Sequence, residues 1–307
     1  MQYAKNAASE FMQSLEDWLR HLDEKHELTP AAHEVVQAVI NDPRHASFAS
    51  AAELAMRANV NVATITRTAQ SLGFSGWPDL RQEIRARFMS KLSAPEVSVV
   101  HQQETGSERP FDAALNRQIE QLTALRRRTD RQSVRDVAKT IADAKRRIVV
   151  GSGSFASIAN ILAHHATLCG YRTELATDGV MIANALGDVK EGDVVVIITF
   201  WRLYNSAIRA ARQAKERGAT TCIITDAAVD ALAENGDHLL LAPAESTSFY
   251  TTILPGISLV EAISAELGAL DPAMSARSIA NFEEQWLSQD LLFTKTAPMA
   301  GKPFDKI

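Results

Sequence analysis

The sequence predicts an all-α amino-terminal domain followed by an α/β lobe built on a doubly wound, five-stranded parallel sheet. Three observations lead there. Apolar residues recur at helical spacing up to about residue 92. From residue 147 onward, short β-branched runs alternate with segments of helical period. Between them, residues 93–111, "SAPEVSVVHQQETGSERPF", lose the period and gather Pro, Ser, Gly and Thr, which reads as a linker. The expected division is a helical domain over 1–92, a linker over 93–111, the sheet lobe over 112–290 and an irregular tail over 291–307.

Bulk properties exclude several classes. A chain of 307 residues, 46% hydrophobic and 22% charged, suits two globular domains. No run approaches the roughly 18 apolar residues of a membrane span. The acidic, amphipathic start has no continuous apolar stretch of the secretory kind, so a cytoplasmic protein is expected. Cys169 and Cys222 form no disulfide framework, and no HxxxH or HExxH arrangement is present. No metal and no cofactor are expected. The net charge of −5 hides an asymmetry: residues 44–92 carry seven Lys/Arg against three Asp/Glu. Residues 113–147 carry ten against four, most simply as solvated helix faces.

The first domain can be read element by element. "LTPAAHEVVQAVI" starts a helix at Thr29-Pro30. Ser50, with Glu53 three residues on, forms a capping box for a short helix that turns Leu54, Ala55 and Ala58 inward. Asn59 suits a left-handed turn, and Asn61 caps the next helix. That helix is expected to bury Val62, Ile65, Ala69 and Leu72 and to end before Gly73. Its other face shows Ala63, Thr64, Arg67, Gln70 and Ser71, with Thr66 at the edge. The spacing of Ala55, Asn59 and Ile65 is that of a helix-turn-helix, whose second helix needs a thin polar face to enter a major groove. Asn61, Ala63, Thr64, Thr66, Arg67 and Gln70 are therefore the candidate contacts to double-stranded DNA. "PDLRQEIRARF", opened by Pro78, adds Arg81, with Arg85 and Arg87 as further backbone clamps. The plain alternative is a three-helix packing module.

In the second domain, "RRIVVGSGS", "YRTELAT", "DVVVIITF", "ATTCIIT" and "DHLLLAP" supply the five strands. Ligands in such a sheet bind outside the carboxyl ends of the strands.

Residues 28–285 resemble the RpiR/MurR family of bacterial transcription regulators. "ATITR" and "LGFSGWPDLR" carry the resemblance in the first domain. The stretch from "RIVVGSGS" to "AKERGATTCIITD" resembles the family's sugar-isomerase (SIS) domain. The resemblance implies a regulator that binds operator DNA, senses a small metabolite, often a sugar phosphate, and assembles as a homodimer or homotetramer. It places effector contacts at Ser152, Gly153 and Ser154 of the first loop, and at Thr199, Trp201, Arg202 and Tyr204 of the second. Glu245, Ser246 and Ser248 of a third loop border the same pocket. The chain departs from the family where Phe155 stands for a serine, and where "TFWRLYNSA" replaces a small hydroxyl-rich phosphate loop. Those changes favour a planar or carboxylate-bearing effector gripped by Arg202, with a sugar phosphate or a packing element as alternatives. No catalytic residue is assigned. The alternative activity, an SIS-type isomerase or lyase, has only Glu245, His164 and His165 as candidate bases.

Overall fold

The computed structural model describes residues 15–105, 109–201, 203–226 and 230–293. The amino-terminal part comprises α1 (Leu15–His26), α2 (Pro30–Asn41), α3 (Pro43–Phe48), α4 (Ala51–Arg57), α5 (Val62–Ser71) and α6 (Trp77–Ser90). Their starts carry the expected chemistry. Thr29 accepts the N–H of Ala32, with Pro30 in the first turn. Ser50 and Glu53 close a reciprocal capping box, and Asn61 Oδ1 accepts the Ala63 N–H at 2.7 Å. Asn59 sits at φ 51° in the turn between α4 and α5, and Gly73 at φ 89° follows α5. Val35, Val36, Val39, Leu54, Ala55, Ile65, Ala69, Leu72, Trp77, Leu80 and Ile84 close on one core, which α1 covers with Leu15, Trp18 and Leu19.

Two expectations are corrected here. Val62 is 49% exposed, and Thr68 is buried in its stead. Val62 opens α5 at the rim of the core, whereas Thr68 and Ala69 lie on the face that Ile65 begins. The second correction concerns the linker. Residues 94–105 form a helix, α7 (Ala94–Thr105). The Ser and Pro that suggested irregular chain are its start signal: Ser93 donates its N–H to Glu96 Oε2 at 2.7 Å, with Pro95 in the first turn. Val97 and Val100 then bury against Met89, beside Phe48, Phe88 and Trp201.

The lobe opens with α8 (Pro110–Arg128) and α9 (Arg131–Asp143). The alternating region follows as β1 (Arg147–Gly151), α10 (Phe155–Leu168), β2 (Glu174–Ala176), α11 (Gly179–Leu186), β3 (Val194–Ile198), α12 (Asn205–Glu216), β4 (Thr220–Thr225), α13 (Asp230–Ala233) and β5 (His238–Leu241). Two helices, α14 (Leu254–Leu270) and α15 (Pro272–Ser288), complete it. The strands lie in the order β2-β1-β3-β4-β5, every neighbouring pair parallel. Val149, Val194, Val196, Ile198, Cys222 and Ile224 pack under α9, α10 and α14. Their alternates Ile148, Val150, Val195, Ile197 and Ile223 pack under α11 and α12. Burial on both faces is why these strands read as unbroken apolar runs. The order reverses between β1 and β3, which opens a crevice at their carboxyl ends. The tail from residue 294 lies outside the described residues.

Part of the basic block of 113–147 is internal wiring. Arg128 pairs with Asp79 of α6 at 2.7 Å, Arg146 bridges Glu174 and Asp188, and Arg147 donates to the carbonyls of Ile141 and Ala142.

Candidate functional site

Two regions answer to the candidate residues. The first is the outer face of α5. Asn61, Ala63, Arg67 and Gln70 are exposed, and Thr64 and Thr66 are half-buried at its edges. The inner face is held by Ile65, Thr68 and Ala69. Arg67 projects from the middle of a helix that carries no acidic residue to neutralise it. Val62, exposed at the first turn, adds an apolar contact of the kind a thymine methyl accepts.

The arginines of α6 divide. Arg81 is half-buried and donates to the Ala49 carbonyl at 3.1 Å, an acceptor it shares with the Trp77 indole. Arg85 and Arg87, expected as backbone clamps, point inward. Arg87 pairs with Glu83 at 3.0 Å and covers the Trp18 ring at 4.4 Å. Arg85 lies over the Phe48 ring at 4.2 Å and pairs with Glu245 of the lobe. A helical wheel cannot tell a solvated arginine from one that closes a domain seam, because the partner is distant in sequence.

The second region is at the strand ends, and it splits into two parts. The first loop, Gly151-Ser152-Gly153-Ser154, turns from β1 into α10 with Gly153 at φ 61°. Phe155 is buried at the start of α10, with its ring against Phe200 and Tyr204. The Tyr204 hydroxyl covers Gly153 so closely that an added Cβ would lie 2.6 Å from it. Thr199 is buried behind this loop, its hydroxyl without a hydrogen-bond partner among the described residues. Arg202 lies outside the described residues.

The other part is a cavity of about 500 Å³ between head and lobe. Trp201, Glu245, Ser246 and Ser248 line it, together with Gln82, Arg85 and Met89 of α6 and His101 of α7. Ser152, Gly153, Ser154, Thr199 and Tyr204 are not among its lining residues, so the ten effector candidates do not converge on one pocket. Asp226, directly after β4, also lines the cavity and accepts the Trp201 backbone N–H at 3.0 Å. Burial pushes its carboxyl up to about 6, and the nearby Glu83 carboxylate adds to the rise. Sequence reasoning missed Asp226; the signal was an acid placed immediately after the apolar run "CIIT".

The arrangement suits binding better than acid–base chemistry. Glu245 is engaged by Arg85. His164 and His165 sit in the third turn of α10, roughly 14 Å along its axis from the end that faces the crevice.

A projecting helix on a capped helical core, joined to a doubly wound lobe with crevices at its strand ends, defines a helix-turn-helix regulator with a ligand-sensing domain. Comparison with known proteins gives the family. Residues 18–91 match the helix-turn-helix domain of the rpiR family, and residues 140–265 match the SIS domain. The chain belongs to the rpiR family of helix-turn-helix proteins. It is 25% identical over 201 residues to the HTH-type transcriptional regulator HexR of Pseudomonas aeruginosa, covering 66% of this chain and 70% of that one. The sugar isomerase domain of an RpiR transcription factor from Sphaerobacter thermophilus superposes with a TM-score of 0.54 at 25% identity, over 56% of this chain and 96% of that one. The Vibrio vulnificus NanR protein, complexed with ManNAc-6P, shares the fold at a TM-score of 0.57 and 18% identity, over 90% of this chain and 99% of that one.

Proposed function

We propose that this chain is a one-component transcriptional regulator, without catalytic activity of its own, that reads operator DNA through α5. Its occupancy of DNA is set by a small anionic metabolite at the strand ends of the lobe. One observation carries the reading: α5 buries Ile65, Thr68 and Ala69 while it holds Asn61, Arg67 and Gln70 in solvent. A groove-reading helix needs that division between faces. Asn61, Ala63, Thr64, Thr66, Arg67 and Gln70 are the reading residues, and Arg81 orients α6 beside them.

The effector is a sugar phosphate or a carboxylate-bearing compound. Ser152 and Ser154 offer hydroxyls beside the amino terminus of α10, a position that favours anions. ManNAc-6P on the NanR neighbour is of the first class. The Phe155–Tyr204 contact over the loop makes the crevice flatter and more apolar than a phosphate cradle, which supports the second. The acting form is a homodimer or higher assembly in the cytoplasm, with two heads on a palindromic site spaced by the lobes.

Selection of the full-length protein on a random double-stranded DNA pool tests the reading. A two-fold symmetric consensus is expected. Retention of all sequences alike, or of none, would overturn it.

A further inference from the structure

We propose that the seam between the helical head and the sheet lobe is a second ligand site, taking a small aromatic carboxylate that exchanges with Glu245 on the Arg85 guanidinium. The site is separate from the first loop: Ser152, Gly153 and Ser154 do not line it.

Its size and walls fit such a ligand. About 500 Å³ falls within the range of small-molecule pockets. Met89, Val97 and Trp201 supply apolar and aromatic wall. Phe249 and Tyr250, both exposed, stand edge to face at 5.6 Å and line the same space, so its rim is aromatic as well.

The charges decide the headgroup. Arg85 faces the cavity with Glu245 and Asp226, and His101 stands on the α7 side. A phosphate dianion would meet one guanidinium and two carboxylates. A monoanion replaces Glu245 one for one, and the guanidinium fork accepts a carboxylate in two parallel bonds. An amine would have to share the space with Arg85. Glu245 retains 20% side-chain exposure, which gives it a route out to water.

The exchange has a structural consequence. Arg85 belongs to α6 of the head and Glu245 to the third loop of the lobe, so their ion pair is a cross-link between domains. A ligand carboxylate on Arg85 opens that link. The remaining ties include the Trp201 indole on the Met89 carbonyl and Arg128 on Asp79. Coupling to operator affinity rests on the regulator reading above; ligand binding itself does not.

Isothermal titration of the full-length protein with benzoate, phenylacetate and indole-3-acetate tests the site, with phenyl phosphate and phenethylamine as charge controls. At least one carboxylate is expected to bind tenfold or more tightly than either control. Glu245→Gln, which leaves the Arg85 guanidinium without its anionic competitor, is expected to tighten carboxylate binding severalfold; its melting curve shows that it folds. Arg85→Gln is expected to abolish binding, but the Glu245→Gln result decides alone if that variant does not fold. Unchanged or weaker carboxylate binding by Glu245→Gln, or preference for phenethylamine or phenyl phosphate, would overturn the proposal. Protein that binds the carboxylate but no DNA would sink the regulator reading and leave this site standing.

Discussion

Trp201 donates its indole N–H to the Met89 carbonyl at 3.0 Å and its backbone N–H to Asp226 Oδ1 at 3.0 Å. One residue thereby ties the end of α6 to the ends of β3 and β4. The Met89 carbonyl lies in the last turn of α6, where helix carbonyls lack partners within the helix. Trp201→Phe keeps a ring in place and removes the indole bond. The expected loss is about 0.5–1.5 kcal/mol in urea unfolding. A change within error would show that the bond contributes nothing to docking.

Arg67 is the most exposed test of DNA reading. Arg67→Ala should leave the melting temperature unchanged, since the side chain lies in solvent on α5. It should cost about 1–3 kcal/mol of operator binding if it reads a base edge, and relax preference at one position. Equal loss on all sequences assigns it to phosphate instead. Electrophoretic titration against a set of single-base operator variants separates the two.

Asp226 predicts a pH dependence of definite sign. Its carboxyl is raised from the ordinary 3.8 to about 6, first by burial and then by Glu83. The stability that its protonated form contributes is complete below about 3.8 and is lost as pH rises through 6. Asp226→Asn keeps an acceptor for the Trp201 N–H and removes the buried charge. The variant should gain on the order of 1–2 kcal/mol at pH 8 and nothing near pH 3.5, read from thermal melts across that range. Equal stability of the two proteins at pH 8 would place the carboxylate in water.

Gly153 is demanded by its backbone and by its neighbour. At φ 61° an alanine is strained, and its Cβ would meet the Tyr204 hydroxyl. Gly153→Ala should destabilise by about 1–2 kcal/mol through the left-handed conformation alone. Adding Tyr204→Ala should recover whatever part comes from the clash. Additive losses in the double-mutant cycle would mean that the ring swings aside freely.

The helix starts were legible because their chemistry is local. Ser50 finds Glu53 three residues away and Asn61 finds Ala63 two away, so the pattern and the bond are the same fact. The same grammar sits at Ser93 and Glu96, where a high content of Pro and Ser masked a helix start. Each strand was legible from its own apolar run, because a sheet covered on both faces demands apolar side chains at every position. The candidate site was legible only in part. Which hydroxyls and arginines gather in one pocket depends on which loops meet, and no spacing within a loop records that.

The sequence by itself determined two domains, their order, and the exposed face of α5 with Arg67 at its centre. Those follow from interactions a few residues long, repeated at the period of a helix or a strand. Tertiary structure alone decided that Arg85 is a cross-link rather than a DNA clamp. It also set Trp201 and Glu245 apart from Ser152, and made Asp226 a strained carboxyl. Each of those outcomes depends on a partner many residues away and on how much water the closed seam excludes, since burial rather than residue type sets the cost of a charge.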